Sequence, residues 1–415
     1  MPNAPIPVLI VDGDPMVGAV LQGLFRNIGE GVRCKAKWVG TGAAALAEVR
    51  EGGWSLMLLD YQLSDLDGLA VLDELNKIPD ALRPSVIMLT AGGNEHVAVE
   101  AMKRGVKDYL VKAGLHLPEL RRAILSALDR RQLEDRLAES TAELRRKNSQ
   151  MEADMAMARQ VQVALLPHQY PVAPAGVSAE HSLVRFCHRW IPSSAVAGDF
   201  FAVLPVVPMS AAVLLCDVMG HGVRAALVAA LIHGLVREHR AVAGNPERFL
   251  SELNRGLQAM LDRAGDLVFV TAVYLVIDVS RGELKFANAG HPAPLLLRKD
   301  GTVEALSVGA DVSGPALGMI PDESYEAATV RMKAGDRVFV YTDGLYEAAD
   351  ASGEEFGPDR LKQALGARAT LATPLLLDSV LSAVREFGSS TTAEGFADDI
   401  CFMGVDFGPR GSCPT

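Results

Sequence analysis

Four acids recur in one local setting, each at the rim of an apolar run: Asp199 in AVAGDFF, Asp217 in VLLCDVMGHG, Asp343 in VFVYTDGLYE, and Asp398, followed by Asp399, in GFADDICFM. Hard carboxylate oxygens favour Mg²⁺ or Mn²⁺ over zinc. Two such ions bridged by a carboxylate activate a water and steady an in-line attack on a phosphate, so phosphate-ester hydrolysis is the natural reaction class. Each acid alone reads as an ordinary turn aspartate or helix N-cap. Four of them at strand ends argue for a site. His221 and His291 both follow a glycine and read as local hydrogen-bonding groups, not as general acids.

A second constellation lies upstream. Asp12, Asp60, Thr90 and Lys112 each close a short apolar run, namely Val8–Val11, Leu56–Leu59, Val86–Leu89 and Tyr109–Val111. Two carboxylates, a hydroxyl and an ammonium suit phosphoryl transfer to a carboxylate. Asp60 would be the nucleophile, Asp12 would hold a divalent cation, and Thr90 and Lys112 would bind the new phosphate's oxygens.

These groups need scaffolds. Over residues 1–128 the apolar runs, with Cys34–Val39 as a weaker fifth, alternate with helical patterns at Met16–Ile28, Ala43–Arg50, Leu69–Leu75, Val97–Lys103 and Leu117–Leu128. That alternation predicts a doubly wound α/β domain with a parallel sheet, whose ligands bind at the carboxyl edge. Residues 129–166 form a connector without Gly or internal Pro and with dense mixed charge. Leu137, Thr141, Leu144, Asn148, Met151, Met155, Ala158, Gln162 and Leu165 fall at spacings of four and three, which predicts a coiled-coil seam and a parallel homodimer. Arg130 and Arg131 interrupt that seam before Leu137. Counted from Leu117, about fifty helical residues would span roughly 75 Å at 1.5 Å per residue, which would hold the end domains well apart.

A Pro-rich loop from Pro167 opens a third region, residues 167–408, ahead of a tail at 409–415. Its short β-rich runs are Leu183–Trp190, Phe200–Val207, Ala211–Cys216, Phe269–Asp278, Glu283–Ala289, Leu295–Arg298, Glu326–Met332, Arg337–Thr342 and Ile400–Val405. Helical patterns are fewer, at Ala225–Arg240, Pro246–Asp262, Pro358–Gly366 and Pro374–Phe387. Hairpin-like spacing with segregated helices predicts an α+β fold of antiparallel sheets covered by helices.

Composition narrows the functional classes. A net charge of −11 argues against a nucleic-acid binder, and no basic recognition helix is found. Five scattered cysteines suit a reducing compartment without disulfides. The amino terminus lacks the form of a signal peptide, and no long apolar run predicts a membrane span. The expected location is the cytoplasm.

Two family resemblances then arise from the motifs themselves. VLIVDGDP, LLDYQLSDLDG, IMLTA and DYLVKA resemble a response-regulator receiver domain over its whole length. The resemblance implies that Asp60 accepts phosphate from a sensor histidine kinase. It also implies that Mg²⁺ is held by Asp12, Asp60 and Gln62, and that Tyr109 is the switch residue. Three departures stand out: Gly13 replaces a second acid, Ala113 replaces the proline after the lysine, and Leu63-Ser64 replaces Met-Pro.

Farther on, ARQVQVALLP, AVAGDFF, DVMGHG, FVTAVYLVID, FANAGHPAP, GPALGM, GDRVFVYTDGLYEA and FADDI resemble, in order, the SpoIIE-type branch of the PPM metal-dependent serine/threonine phosphatases. That resemblance implies an antiparallel β-sandwich flanked by helices and two Mn²⁺ or Mg²⁺ ions. Asp217 would bridge the ions, the Val218 carbonyl would bind one, and Asp199, Asp343 and Asp398 would complete the set. Ala197 stands where a glycine is usual, and Cys401 replaces a threonine. The implied substrate is a phosphoserine on a STAS-type anti-sigma-factor antagonist. The alternative is a non-catalytic adaptor that binds a sigma factor or its regulator, but such adaptors lose metal-binding acids and this chain keeps all four.

Overall fold

The computed structural model describes residues 5–26, 28, 33–92, 95–206, 208–261, 268–308, 313–388 and 396–408. The chain divides into two compact units, Met1–Asn148 and Ser149–Thr415.

In the first unit, β1 (Ile6–Val11), β2 (Cys34–Val39), β3 (Leu56–Asp60), β4 (Ser85–Thr90) and β5 (Asp108–Val111) form a parallel sheet in the order β2-β1-β3-β4-β5. Every residue of β3 and β4 is buried, which is why those runs read as continuously apolar. One face packs on α1 (Pro15–Arg26) through Leu21 and Phe25, the other on α2 (Gly42–Glu51) and α3 (Gly68–Leu75) through Val49 and Val71. α4 (Glu95–Lys103) joins that second face through Val97 and Ala101. β2 is an edge strand with no fully buried residue, and its apolar run is correspondingly the weakest.

The last helix of this unit does not stop where its core ends. α5 is a single helix of 49 residues, Leu117–Leu165, and merges what the sequence divides into a domain helix and a connector. Its first turns bury Leu120, Ala123, Ile124 and Ala127 on the sheet. Beyond them, Lys107 Nζ donates to both Glu134 carboxylate oxygens at 2.7 Å, and Arg131 donates to the carbonyls of Asp80 and Arg83. Arg131 interrupts the heptad because it serves the first unit's own surface. Leu137, Leu144 and Met151, at seven-residue spacing, are exposed on the expected seam. Gln162 and Leu165, which the spacing assigns to the same seam, turn instead onto the fold that follows them. Gln162 bonds the backbone of Ala197, and Leu165 borders a crevice with Trp190 and Phe200.

In the second unit the strands are β6 (Val184–Ile191), β7 (Phe200–Val206), β8 (Ser210–Val218), β9 (Val270–Asp278), β10 (Glu283–Ala289), β11 (Leu295–Leu297), β12 (Val303–Ala305), β13 (Ala327–Arg331), β14 (Arg337–Tyr341) and β15 (Ile400–Phe407). They make two antiparallel sheets, β13-β10-β9-β8-β7 and β12-β11-β14-β15-β6. The helices are α6 (Val223–Glu238), α7 (Pro246–Leu261), α8 (Gly357–Ala367) and α9 (Thr373–Phe387). Strand periodicity assigns the layers. From β8, Val213 and Leu215 enter the core between the sheets, where they share a cluster with Val338, Val340 and Met403. Ala212, Leu214 and Cys216 pack outward under α6 and α7, against Ile232, Phe249 and Leu253. Phe339 and Phe402 do the same under α8 and α9. The result is a β-sandwich flanked by helices, as expected. β12, a mostly exposed edge strand of three residues, has no matching apolar run in the sequence pattern. Among the described residues, no helix is long and apolar enough to cross a membrane.

Candidate functional site

The carboxyl edge of the first sheet holds one cluster. Asp12 directly follows β1, Asp60 and Thr90 end β3 and β4, and Lys112 follows β5. The order reverses between β1 and β3, so Asp12 and Asp60 flank the switch point where such sheets bind ligands. Lys112 Nζ lies 2.7 Å from Asp12 Oδ2 and 2.7 Å from Asp60 Oδ2. Asp12, Asp60 and Thr90 are buried.

Burial raises the Asp60 pKa above the carboxylate norm, and the hydrogen bond from Lys112 offsets part of that rise. Burial opposes the Lys112 charge, but its bonds to Asp12 and Asp60 prevail and raise its pKa. Gln62 and Tyr109 are exposed. At Gly13 a Cβ would meet nothing nearer than the Gln62 carbonyl, 3.8 Å away.

The second cluster is assembled by both sheets of the sandwich. β7 pairs with β8, Phe200 opposite Cys216, which carries Asp199 and Asp217 to one rim. β14 pairs with β15, Tyr341 opposite Phe402, which brings Asp343 and Asp398 to the end of the other sheet. Cross-ties join the two rims. Thr342 Oγ1 donates to Asp199 Oδ2 at 2.7 Å and accepts the Cys401 N–H at 2.8 Å. Asp399 accepts from the Ser193 N–H and hydroxyl at Oδ1 and from the Gly198 N–H at Oδ2, at 2.7–2.8 Å.

The paired acids in FADDI therefore have different surroundings. Asp398 is exposed, whereas Asp399 is buried and spends its lone pairs on the loop before Asp199. Two glycines allow the close approach. A Cβ on Gly344 would sit 2.3 Å from the Asp399 carbonyl oxygen, and one on Gly198 would sit 3.0 Å from the carbonyl oxygen of buried Val218.

Burial, then the Asp217 charge, pushes the Asp199 carboxyl well above the carboxylate range. Burial and the charges of Asp343 and Asp398 push Asp217 up to about 7. Burial and Asp398 also raise Asp343. No lysine or arginine is among the leading influences on these three acids. An all-carboxylate set with no lysine or arginine among its leading influences fits hard divalent cations. Among the described residues no three Asp, Glu, His or Cys side chains already close on one point, so ions would have to draw the acids together.

The two histidines of the glycine-flanked motifs differ in their surroundings. His291 is buried, its Nδ1 is 2.8 Å from Thr271 Oγ1, and burial pushes its pKa down to about 3, so its ring is neutral. His221 is exposed.

Three residues that support the rim lie within motifs of the sequence but are given no part in the site by them: Thr342 in VFVYTDGLYE, Asp399 beside Asp398 in FADDI, and Gln162 in ARQVQVALLP. Only the run of two acids in FADDI signals the second of these.

Comparison with known proteins agrees with this division. Residues 8–125 match the response regulator receiver domain family, and residues 208–408 match the family of stage II sporulation protein E (SpoIIE). Phosphoserine phosphatase RsbP of Bacillus subtilis is 28% identical over 156 residues, covering 37% of this chain and 38% of RsbP. Transcriptional regulatory protein ZraR of Salmonella typhimurium is 36% identical over 107 residues, covering 26% of this chain and 23% of ZraR. The chain thus spans well under half of the length of these relatives. The SiaA-PP2C domain of Pseudomonas aeruginosa shares the fold, with a TM-score of 0.53 at 22% identity over 63% of this chain and 98% of that one.

Proposed function

We propose, from the premise that the chain joins a response-regulator receiver domain to a SpoIIE-type domain, that it is a metal-dependent protein serine/threonine phosphatase under receiver control. The observation that carries this reading is the meeting of acids from two sheets at one rim, with no lysine or arginine among their leading influences. Asp217 and the Val218 carbonyl, with Asp199, Asp343 and Asp398, would hold two Mn²⁺ or Mg²⁺ ions. Bound there, such ions lower the pKa of a water and neutralise charge on a phosphoryl group. The protein's part is to keep these ligands in register. Thr342 holds Asp199, Asp399 holds the loop before it, and the glycine approach at Gly344 sets Asp343 against the strand that follows Asp398. His291, neutral and buried, neither repels the ions nor donates a proton as an imidazolium.

The receiver would regulate this output. Asp60 would accept phosphate from a sensor histidine kinase, with Mg²⁺ on Asp12, Asp60 and Gln62. Thr90 and Lys112 would bind the phosphoryl oxygens, and Lys112 would have to exchange its bonds to the acids for bonds to the phosphate. Tyr109, exposed on β5, would report the change. The exposed Leu137, Leu144 and Met151 support a parallel homodimer through α5. The substrate class that fits this output is a phosphoserine on an anti-sigma-factor antagonist of the STAS type.

The test is hydrolysis of a phosphoserine protein by the full chain in Mn²⁺, in Mg²⁺ and in EDTA. Turnover in either metal and silence in chelator is expected. Full activity in excess EDTA would remove the metal mechanism.

A further inference from the structure

Gln162 is where the long helix α5 reaches the acid rim. Its Nε2–H donates to the Ala197 carbonyl at 2.7 Å, and its Oε1 accepts the Ala197 N–H at 3.0 Å. A carboxamide carries donor and acceptor in one planar group, so it can satisfy both backbone groups of a single residue. The contact is made to backbone alone, and it survives whichever small residue occupies position 197.

Ala197 is two residues before Asp199, in the loop that leads from β6 into β7. The next N–H along, that of Gly198, is taken by Asp399. Two consecutive residues of one loop are thus gripped from different elements, one by the helix and one by the segment entering β15. The Asp199 carbonyl is gripped as well, by Trp190 Nε1 at 3.1 Å. Gln162 and Asp199 also border one small crevice, together with Leu165, Trp190, Phe200 and Ala229. Only Gly198 separates Ala197 from Asp199, so the hold of the helix on Ala197 is one of the ties that fix the course of the chain into Asp199.

We propose that Gln162 is a positioning residue for the metal site. It ties the Asp199 loop to the last turns of α5, so that Asp199 takes its ligand position only while that end of the helix is docked. This rests on reading the acid rim as a metal-dependent phosphatase site. It adds that the helix end belongs to the site's supporting structure. Groups that orient metal ligands without touching the metal commonly change affinity by about 10- to 100-fold when removed.

The experiment uses the full chain carrying Asp12→Asn, which removes a receiver acid expected to bind metal. Into this parent are placed Gln162→Met, which keeps the length of the side chain and loses both hydrogen bonds, and Leu365→Ala. Leu365 is buried in the cluster under α8 and α9, which the end of α5 does not join. Free Mn²⁺ is measured by electron paramagnetic resonance during titration, thermal unfolding is followed in EDTA, and p-nitrophenyl phosphate turnover is recorded against Mn²⁺ concentration.

Gln162→Met should weaken Mn²⁺ binding about tenfold or more, with turnover approaching the parent's at saturating Mn²⁺. Leu365→Ala should lower the melting temperature and leave Mn²⁺ binding at the parent's value. The proposal is overturned if Gln162→Met binds Mn²⁺ like the parent, or if affinity simply follows melting temperature in both variants. A parent that itself neither binds Mn²⁺ nor turns over would refute the phosphatase reading, and this inference with it. A working parent with an unaffected Gln162→Met refutes the inference alone.

Discussion

Two sets of buried or half-buried aspartates sit at strand ends in this protein, and they are balanced in opposite ways. In the first unit Asp12 and Asp60 share Lys112, at 2.7 Å from each. In the second unit burial and neighbouring acids raise Asp199, Asp217 and Asp343, and no lysine or arginine is among their leading influences. A site that carries its own cation can rest without metal. A site made of carboxylates alone is electrostatically incomplete until ions arrive. The contrast matches the two proposed roles, a phosphoacceptor that is charged transiently and a catalytic centre that holds ions through turnover.

Removing an acid from the second site should break the contrast most sharply. Asp217→Asn or Asp343→Asn should cost roughly a thousandfold or more in phosphoserine turnover, as loss of an essential group does. Circular dichroism should show the fold intact. Turnover within tenfold of wild type would mean that these acids are not the ligands.

Stability should then move in opposite directions at the two sites. Lys112→Met leaves two buried carboxylates uncompensated and should destabilise the receiver by about 3 kcal/mol. Asp217→Asn relieves repulsion and should raise the melting temperature of the second unit in EDTA. The pH response has the same origin. The folded state holds the Asp217 proton up to about 7, whereas an unfolded aspartate releases it near its ordinary value of about 4. Between those values the fold binds more protons than the unfolded chain, so stability is full below about pH 4 and declines as pH rises through about 7. In EDTA, calorimetry should therefore find the second unit melting higher at pH 5.5 than at 7.5. A melting temperature that rises with pH would contradict this account of the rim.

A smaller effect should come from making the sites more alike. Gly13→Asp adds a hard oxygen to the receiver pocket, where a Cβ meets only the Gln62 carbonyl at 3.8 Å. Mg²⁺ affinity should rise about tenfold, on the scale of one favourable ligand interaction of about 1.4 kcal/mol. Isothermal titration against wild type, both in an Asp217→Asn background, checks it. Smallest of all is the effect expected in the helix that both units share. Asn148→Leu should tighten self-association, because a polar residue at a seam position trades stability for register. Sedimentation equilibrium would show it. A monomer for both proteins would remove the coiled-coil seam.

Much of the receiver pocket is legible in the sequence alone because its logic is local. Each of Asp12, Asp60, Thr90 and Lys112 ends an apolar run, and a parallel sheet places all such ends on one edge. The same reasoning gathers Asp199, Asp217, Asp343 and Asp398 as candidates, and hairpin-like spacing with segregated helices predicts the layers that carry them. Both depend on side-chain alternation and burial, which the order of residues along one strand dictates.

What tertiary structure alone decided lies between elements distant in sequence. Asp398 and Asp399 are equivalent as letters, yet one is exposed and the other accepts three hydrogen bonds from Ser193 and Gly198. Arg131 is a flaw in a heptad by its spacing, but in the fold the carbonyls of Asp80 and Arg83 receive it. Gln162 fits the heptad spacing, but its amide is committed to Ala197, 35 residues away. A hydrogen bond depends on where two backbones meet in space, and no periodicity within either segment carries that information.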